Sequence, residues 1–61
     1  MIIGFIGFGR VSESLTKLFK DEKIISSDYG RSKQSINRMK KANVEILDDF
    51  NQVAIESDLL I

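Results

Sequence analysis

The sequence predicts a doubly wound α/β fold with a parallel sheet, on three observations. Its first six residues, Met-Ile-Ile-Gly-Phe-Ile, form a nearly continuous apolar run rich in β-branched and aromatic types, the pattern of a strand covered on both faces. Short apolar runs then alternate with stretches of helical periodicity about 10 residues long, which join strands as right-handed parallel crossovers. The resulting order is β-α-β-α-β-α-β, the first half of such a sheet.

Each element has its own signal. After the first strand come Gly7 and Gly9, then apolar residues at Val11, Leu15, Leu18 and Phe19, one stripe of a helix from Arg10 to Lys20 with its charges opposite. Asp21-Glu22-Lys23 is a polar turn, and Ile24 to Ser27 is a second strand ending near Asp28. In the loop Tyr29-Gly30-Arg31, Gly30 can take a positive φ at little cost. Ser32 is a good N-cap for a second helix whose stripe is Ile36, Met39 and Ala42, closed by Asn43. Val44 to Leu47 is a third strand. Asp48 or Asp49 then caps a brief helix carrying Phe50, Val53 and Ala54 inward, and Asp58 to Ile61 opens a fourth strand.

Composition narrows the chemistry. The chain has 61 residues and neither Cys nor His, so zinc sites, thiol nucleophiles and histidine bases are excluded within it, and we expect no metal site. At 43% hydrophobic and 30% charged it reads as folded protein. No stretch is long enough to cross a bilayer and no signal-peptide pattern opens the chain, so we expect a cytoplasmic protein without a membrane partner. The zero net charge conceals a segregation: Arg31, Lys33, Arg38, Lys40 and Lys41 stand among residues 29–44 without an acid, and Glu45, Asp48, Asp49, Glu56 and Asp58 among residues 45–61 without a cation. No aromatics interleave the basic run, so it reads as a solvated helix face and no nucleic-acid partner is expected.

The residues with chemical content are Gly7-Phe8-Gly9-Arg10-Val11-Ser12, a G-x-G-x-x-small turn between a buried strand and an amphipathic helix. The first glycine permits the tight turn, the second lets backbone approach a pyrophosphate, and a small third residue packs helix on strand. The helix then aims its first amides at the diphosphate. This is the signature of a Rossmann dinucleotide site, in which Phe8 is the one aromatic residue placed near a ligand. Asp28 follows Gly7 by 21 residues, where an acid accepts from the ribose 2′-hydroxyl of NAD. Arg31, Ser32 and Lys33 come directly after it and offer a guanidinium, a hydroxyl and an ammonium to the 2′-phosphate of NADP. Which way the loop turns Asp28 decides between the two; the positive surroundings of Arg31 favour NADP over NAD.

Taken together, Ile3-Gly4-Phe5-Ile6-Gly7-Phe8-Gly9, Ser12, Gly30-Arg31-Ser32, Val44 and Asp58-Leu59-Leu60-Ile61 resemble the NADP-binding domain of the 6-phosphogluconate dehydrogenase and β-hydroxyacid dehydrogenase superfamily, over the whole chain. In that superfamily an Asn-Arg-Ser/Thr triplet after the second strand reads the 2′-phosphate. Arg31 and Ser32 match it, and Gly30 stands where the Asn would be. Pyrroline-5-carboxylate reductase shares the opening and the run from Asp49 through Val53 and Glu56-Ser57-Asp58 to Ile61, and is the second resemblance. Both imply a nicotinamide dinucleotide cofactor, a small-molecule substrate, catalytic groups drawn from later segments, and association into homo-oligomers through a C-terminal helical domain. The expectation is therefore that residues 1–61 are a partial, truncated domain, with no catalytic residue inside it. A nucleotide-sensing module without chemistry is the rival from another class.

Overall fold

A computed structural model describes all 61 residues. The strands are β1 (Ile2–Gly4), β2 (Lys23–Ser27), β3 (Glu45–Leu47) and β4 (Leu59–Leu60), and the helices are α1 (Arg10–Thr16), α2 (Lys33–Lys41) and α3 (Phe50–Glu56). A single 3-10 turn, Lys17–Phe19, extends α1. All four strands are parallel, in the order β3-β2-β1-β4. The chain therefore winds one way from β1 to β3, then crosses back over the sheet to reach β4. With right-handed crossovers, that reversal places α1 and α2 on one face and α3 on the other.

Side-chain alternation along the strands matches the two faces. Ile3 and Phe5 with Ile24 point to the α1/α2 side, where they cluster with Phe8, Met39 and Val44 and meet Leu15, Phe19, Ala42 and Ile46. Gly4 points the other way, onto Val53 and Ser57 of the α3 segment. Ile3 pairs with Ile24 and Gly4 with Ile25, so adjacent strands present the same face in step. Two buried serines at the end of β2 keep their hydroxyls satisfied: Ser26 donates to the Phe5 carbonyl (2.8 Å), and Ser27 accepts from the Tyr29 amide (3.1 Å). No buried polar side-chain atom lacks a partner.

The capping expectations hold at residue level. Ser32 accepts from the Ser35 amide at 3.2 Å, and Asp49, rather than Asp48, accepts from the Gln52 amide at 2.8 Å. Asn43 closes α2 with φ 62°, a left-handed conformation that Asn tolerates better than most residues.

Two packing expectations are corrected. The first helix does not run regularly to Lys20 with Val11 and Leu18 inside; both are 75% exposed, and Thr16 is buried instead. The chain tightens to three residues per turn at Lys17, which rotates the stripe, and the Thr16 hydroxyl hides its polarity by donating to the Glu13 carbonyl (2.6 Å). Ala54 is exposed as well, so α3 buries Val53 and half-buries Phe50 only. β1, β3 and β4 are also shorter than the runs that announce them, whereas β2 begins one residue earlier, at Lys23.

β1 is bonded on both sides. The Phe5 amide donates to the Ile25 carbonyl (3.0 Å), while the Ile61 amide donates to Gly4 (2.8 Å) and the Ile6 amide to Ile61 (3.0 Å). Asp58 adds a tie, its carboxylate accepting from the Ile2 amide at 2.7 Å. The terminal amine of Met1 lies 2.7 Å from the Glu22 carboxylate, whose hydrogen bond and charge raise the amine above its ordinary value of 8.0. That contact is complete below pH 8.0 and fades as pH rises through the raised value.

Candidate functional site

The glycine turn lies at the carboxyl end of β1, beside the place where the winding reverses between β1 and β4. Crevices in open α/β sheets form at such points. Gly7 is half-buried, whereas Gly9, Arg10 and Val11 form an exposed rim. The first backbone bond of α1 is donated by Glu13 to the Gly9 carbonyl (3.0 Å), which leaves the amides of the preceding turn directed outward from the helix mouth.

Gly9 is the most informative residue of the turn. It is the N-cap of α1 with φ −110° and ψ −159°, extended backbone open to any amino acid. A Cβ added there meets nothing within 4 Å. Neither conformation nor packing in the chain calls for glycine, yet the space it leaves adjoins the free amides. This is the room a diphosphate approaching the backbone needs.

The other turn residues divide by role. Phe8 turns its side chain into the core, 2% exposed and edge-on to Phe5 with ring centroids 5.6 Å apart, so only its backbone faces the turn. Ser12 directs its hydroxyl back to the Gly7 carbonyl at 3.1 Å, tying helix to turn in the place of a third glycine. The exposed faces of Arg10 and Val11 point outward from the first turn.

The loop after β2 closes as a tight turn. The Arg31 amide donates to the Asp28 carbonyl at 3.0 Å, with Gly30 at φ 68° as its third residue. Asp28 is exposed and makes no ion pair with Arg31; the chain's two ion pairs are Met1 with Glu22 and Lys23 with Glu45. Arg31 instead reaches back over the sheet tip, so that a Cβ at Gly7 would lie 3.9 Å from one of its guanidinium nitrogens. The guanidinium carbon stands 5.4 Å from the centroid of the Phe50 ring. Ser32 and Lys33 are exposed at the start of α2, where the Ser32 hydroxyl is engaged in capping. The structure thus gathers Gly7, Gly9 and Arg31 around one end of the sheet. It adds Phe50, which sequence reasoning assigned to the core.

The largest concavity lies elsewhere. A cleft of about 430 Å³ runs between the ends of α1 and α2, lined mainly by charged side chains including Lys17, Lys20 and Lys41. No three carboxylates converge on a point that would hold a metal ion. No helix is long and apolar enough to cross a membrane.

Strand order and crossovers together define a Rossmann-like α/β fold, with the glycine turn at the carboxyl end of its first strand. Comparison with known proteins agrees at the level of fold. The structure superposes on that of the conserved protein MTH1747, itself of unknown function and described as structurally similar to 3-hydroxyacid dehydrogenases, with a TM-score of 0.84 over 98% of this chain and 23% of that one at 24% identity. In sequence the chain is 40% identical over its full length to an uncharacterized 28.5 kDa protein encoded in the 7S RNA 5′ region of Methanothermus fervidus, of which it covers 25%. It therefore spans about a quarter of the length of each protein it matches. No family model matches it.

Proposed function

We propose that residues 1–61 are the dinucleotide-binding part of a nicotinamide-dependent oxidoreductase of the hydroxyacid dehydrogenase type, in the 6-phosphogluconate dehydrogenase-like superfamily, with NADP as preferred cofactor. The observation that carries this reading is the vacant approach at Gly9, which the chain's own fold does not require, in the same turn whose Gly7 faces the Arg31 guanidinium. The described likeness of MTH1747 to 3-hydroxyacid dehydrogenases supports the reaction class.

In this reading the backbone of Gly7, Phe8, Gly9, Arg10, Val11 and Ser12 holds the pyrophosphate at the helix mouth. Asp28, Arg31, Ser32 and Lys33 surround the adenosine ribose. Arg31 turns toward the glycine turn while Asp28 stays unpaired in solvent, an arrangement that favours a 2′-phosphate over a bare hydroxyl. The bound nicotinamide supplies hydride chemistry. What these residues supply is binding and orientation, and the groups acting on a small-molecule substrate belong to the further length of proteins of this kind. Such an enzyme is cytoplasmic, and its homo-oligomeric contacts lie outside residues 1–61.

Isothermal titration of the intact protein with NADPH and NADH tests the assignment. Binding of NADPH, more tightly than NADH, is the expected result; binding of neither overturns it. Arg31→Ala should weaken NADPH by roughly tenfold to a hundredfold, the scale of a hydrogen bond to a charged group, and leave NADH nearly unchanged. Equal losses for the two would remove Arg31 from cofactor selection.

A further inference from the structure

We infer that Phe50 is a positioning residue for cofactor selection: its ring holds the Arg31 guanidinium at the mouth of the site. The inference rests on the assignment of Arg31 to a 2′-phosphate. The two residues are 19 apart in sequence and come from different elements, the β2–α2 loop and the first turn of α3. Their guanidinium-to-centroid distance of 5.4 Å lies within the range of cation–π attraction.

Both ends of the contact are fixed by local structure. Arg31 is the last residue of the turn that Gly30 closes with its positive φ. Phe50 follows Asp49 directly, and Asp49 is held in place by capping the Gln52 amide. Phe50 is half-buried, with its ring available at the sheet tip. No carboxylate pairs with Arg31, so the ring is what holds an otherwise long and mobile side chain. An acidic partner would have occupied the N–H donors and cancelled the charge. Attraction to the face of a ring uses neither, and the guanidinium keeps its N–H edges and its charge for a phosphate. Preorganisation of this kind lowers the side-chain entropy lost when the ligand arrives.

The contact can be seen without cofactor. In the nuclear magnetic resonance spectrum of the intact protein, the Arg31 side-chain protons should be shifted upfield by the Phe50 ring current; random-coil values for them would overturn the inference. Phe50→Leu, which keeps bulk but removes the ring face, should weaken NADPH by about twofold to fivefold, the range of an exposed cation–π pair, with NADH unchanged. Phe50→Tyr should retain wild-type discrimination. In an Arg31→Met background, Phe50→Leu should cause no further loss, because the group it positions is gone.

An undiminished loss in that background, or equal weakening of both cofactors, would make Phe50 a structural residue only. If Arg31→Met lowers NADPH affinity and Phe50→Leu does not, Phe50 falls and the role of Arg31 stands. If Arg31→Met leaves the ratio of NADPH to NADH affinity unchanged, the role of Arg31 falls and that of Phe50 with it. Should Phe50→Leu fail to fold, the Arg31 proton shifts and the Phe50→Tyr titration decide the matter.

Discussion

Gly9→Val should lower the affinity of the intact protein for NADPH and NADH alike by roughly tenfold to a hundredfold, while its stability changes by less than about 1 kcal/mol. The small stability effect follows from the backbone and the space around it. Valine accepts φ −110°, and its Cβ meets nothing within 4 Å, so the only cost is a poorer N-cap. Under the proposed function the binding effect is large because the added side chain would stand between the diphosphate and the first amides of α1. Both cofactors share that diphosphate, which is why no discrimination is expected here, unlike at Arg31. Titration calorimetry with the two cofactors, alongside a thermal melt, reads both quantities. A variant that binds as tightly as the parent would show that the turn serves only to join strand and helix.

Gly4→Ala should have the opposite profile, destabilising the protein by at least about 1–3 kcal/mol. Its Cβ would overlap the Ser57 hydroxyl and lie 3.0 Å from both Ser57 Cβ and Val53 Cγ1. Rotating the hydroxyl away is no remedy, since it donates to the Val53 carbonyl and the two carbon atoms remain in the way. The helix α3 segment must therefore lift from β1. Each kcal/mol lost lowers the melting temperature by about 2–8 °C, the less the larger the unit that unfolds, so the change is visible in a calorimetric scan. Ser57→Gly should restore part of the loss in the double variant. An unaltered melting temperature for Gly4→Ala would mean that α3 does not approach β1 this closely.

These two glycines also show what a sequence can and cannot reveal. The place of Gly9 at the mouth of α1 was legible because it belongs to a local motif, a turn between an apolar run and a periodic stretch. Gly30 was legible likewise, from its place in a tight loop. The reason for Gly4 lies in residues 53 and 57, reached only after the chain has crossed the whole sheet. The order of elements, the caps at Ser32 and Asp49 and the left-handed Asn43 depend on neighbours a few positions away, and sequence reasoning placed them. Leu18 was misplaced because helical periodicity assumes a constant turn, whereas the chain tightens at Lys17; Val11 was misplaced because hydrophobicity put it on the stripe, although in the regular first turn of α1 it stands at the exposed rim of the glycine turn. Phe50 was assigned to packing on hydrophobicity alone. Its meeting with Arg31 is a property of topology, since only the return crossover brings the start of α3 to the tip of β2.

Among the strands, β1 has hydrogen-bonded neighbours on both sides and carries the glycine turn at its end. Fraying of a sheet begins at its edges, which within residues 1–61 are β3 and β4. Detaching β3 frees only one side of β2, and detaching β4 still leaves β1 on β2. The glycine turn is thus hung from one of the two interior strands, β1 and β2, neither of which comes free until a neighbour on each side has let go. Its shape is coupled to cooperative unfolding more than to local opening, so the position of the helix mouth is set before any ligand arrives.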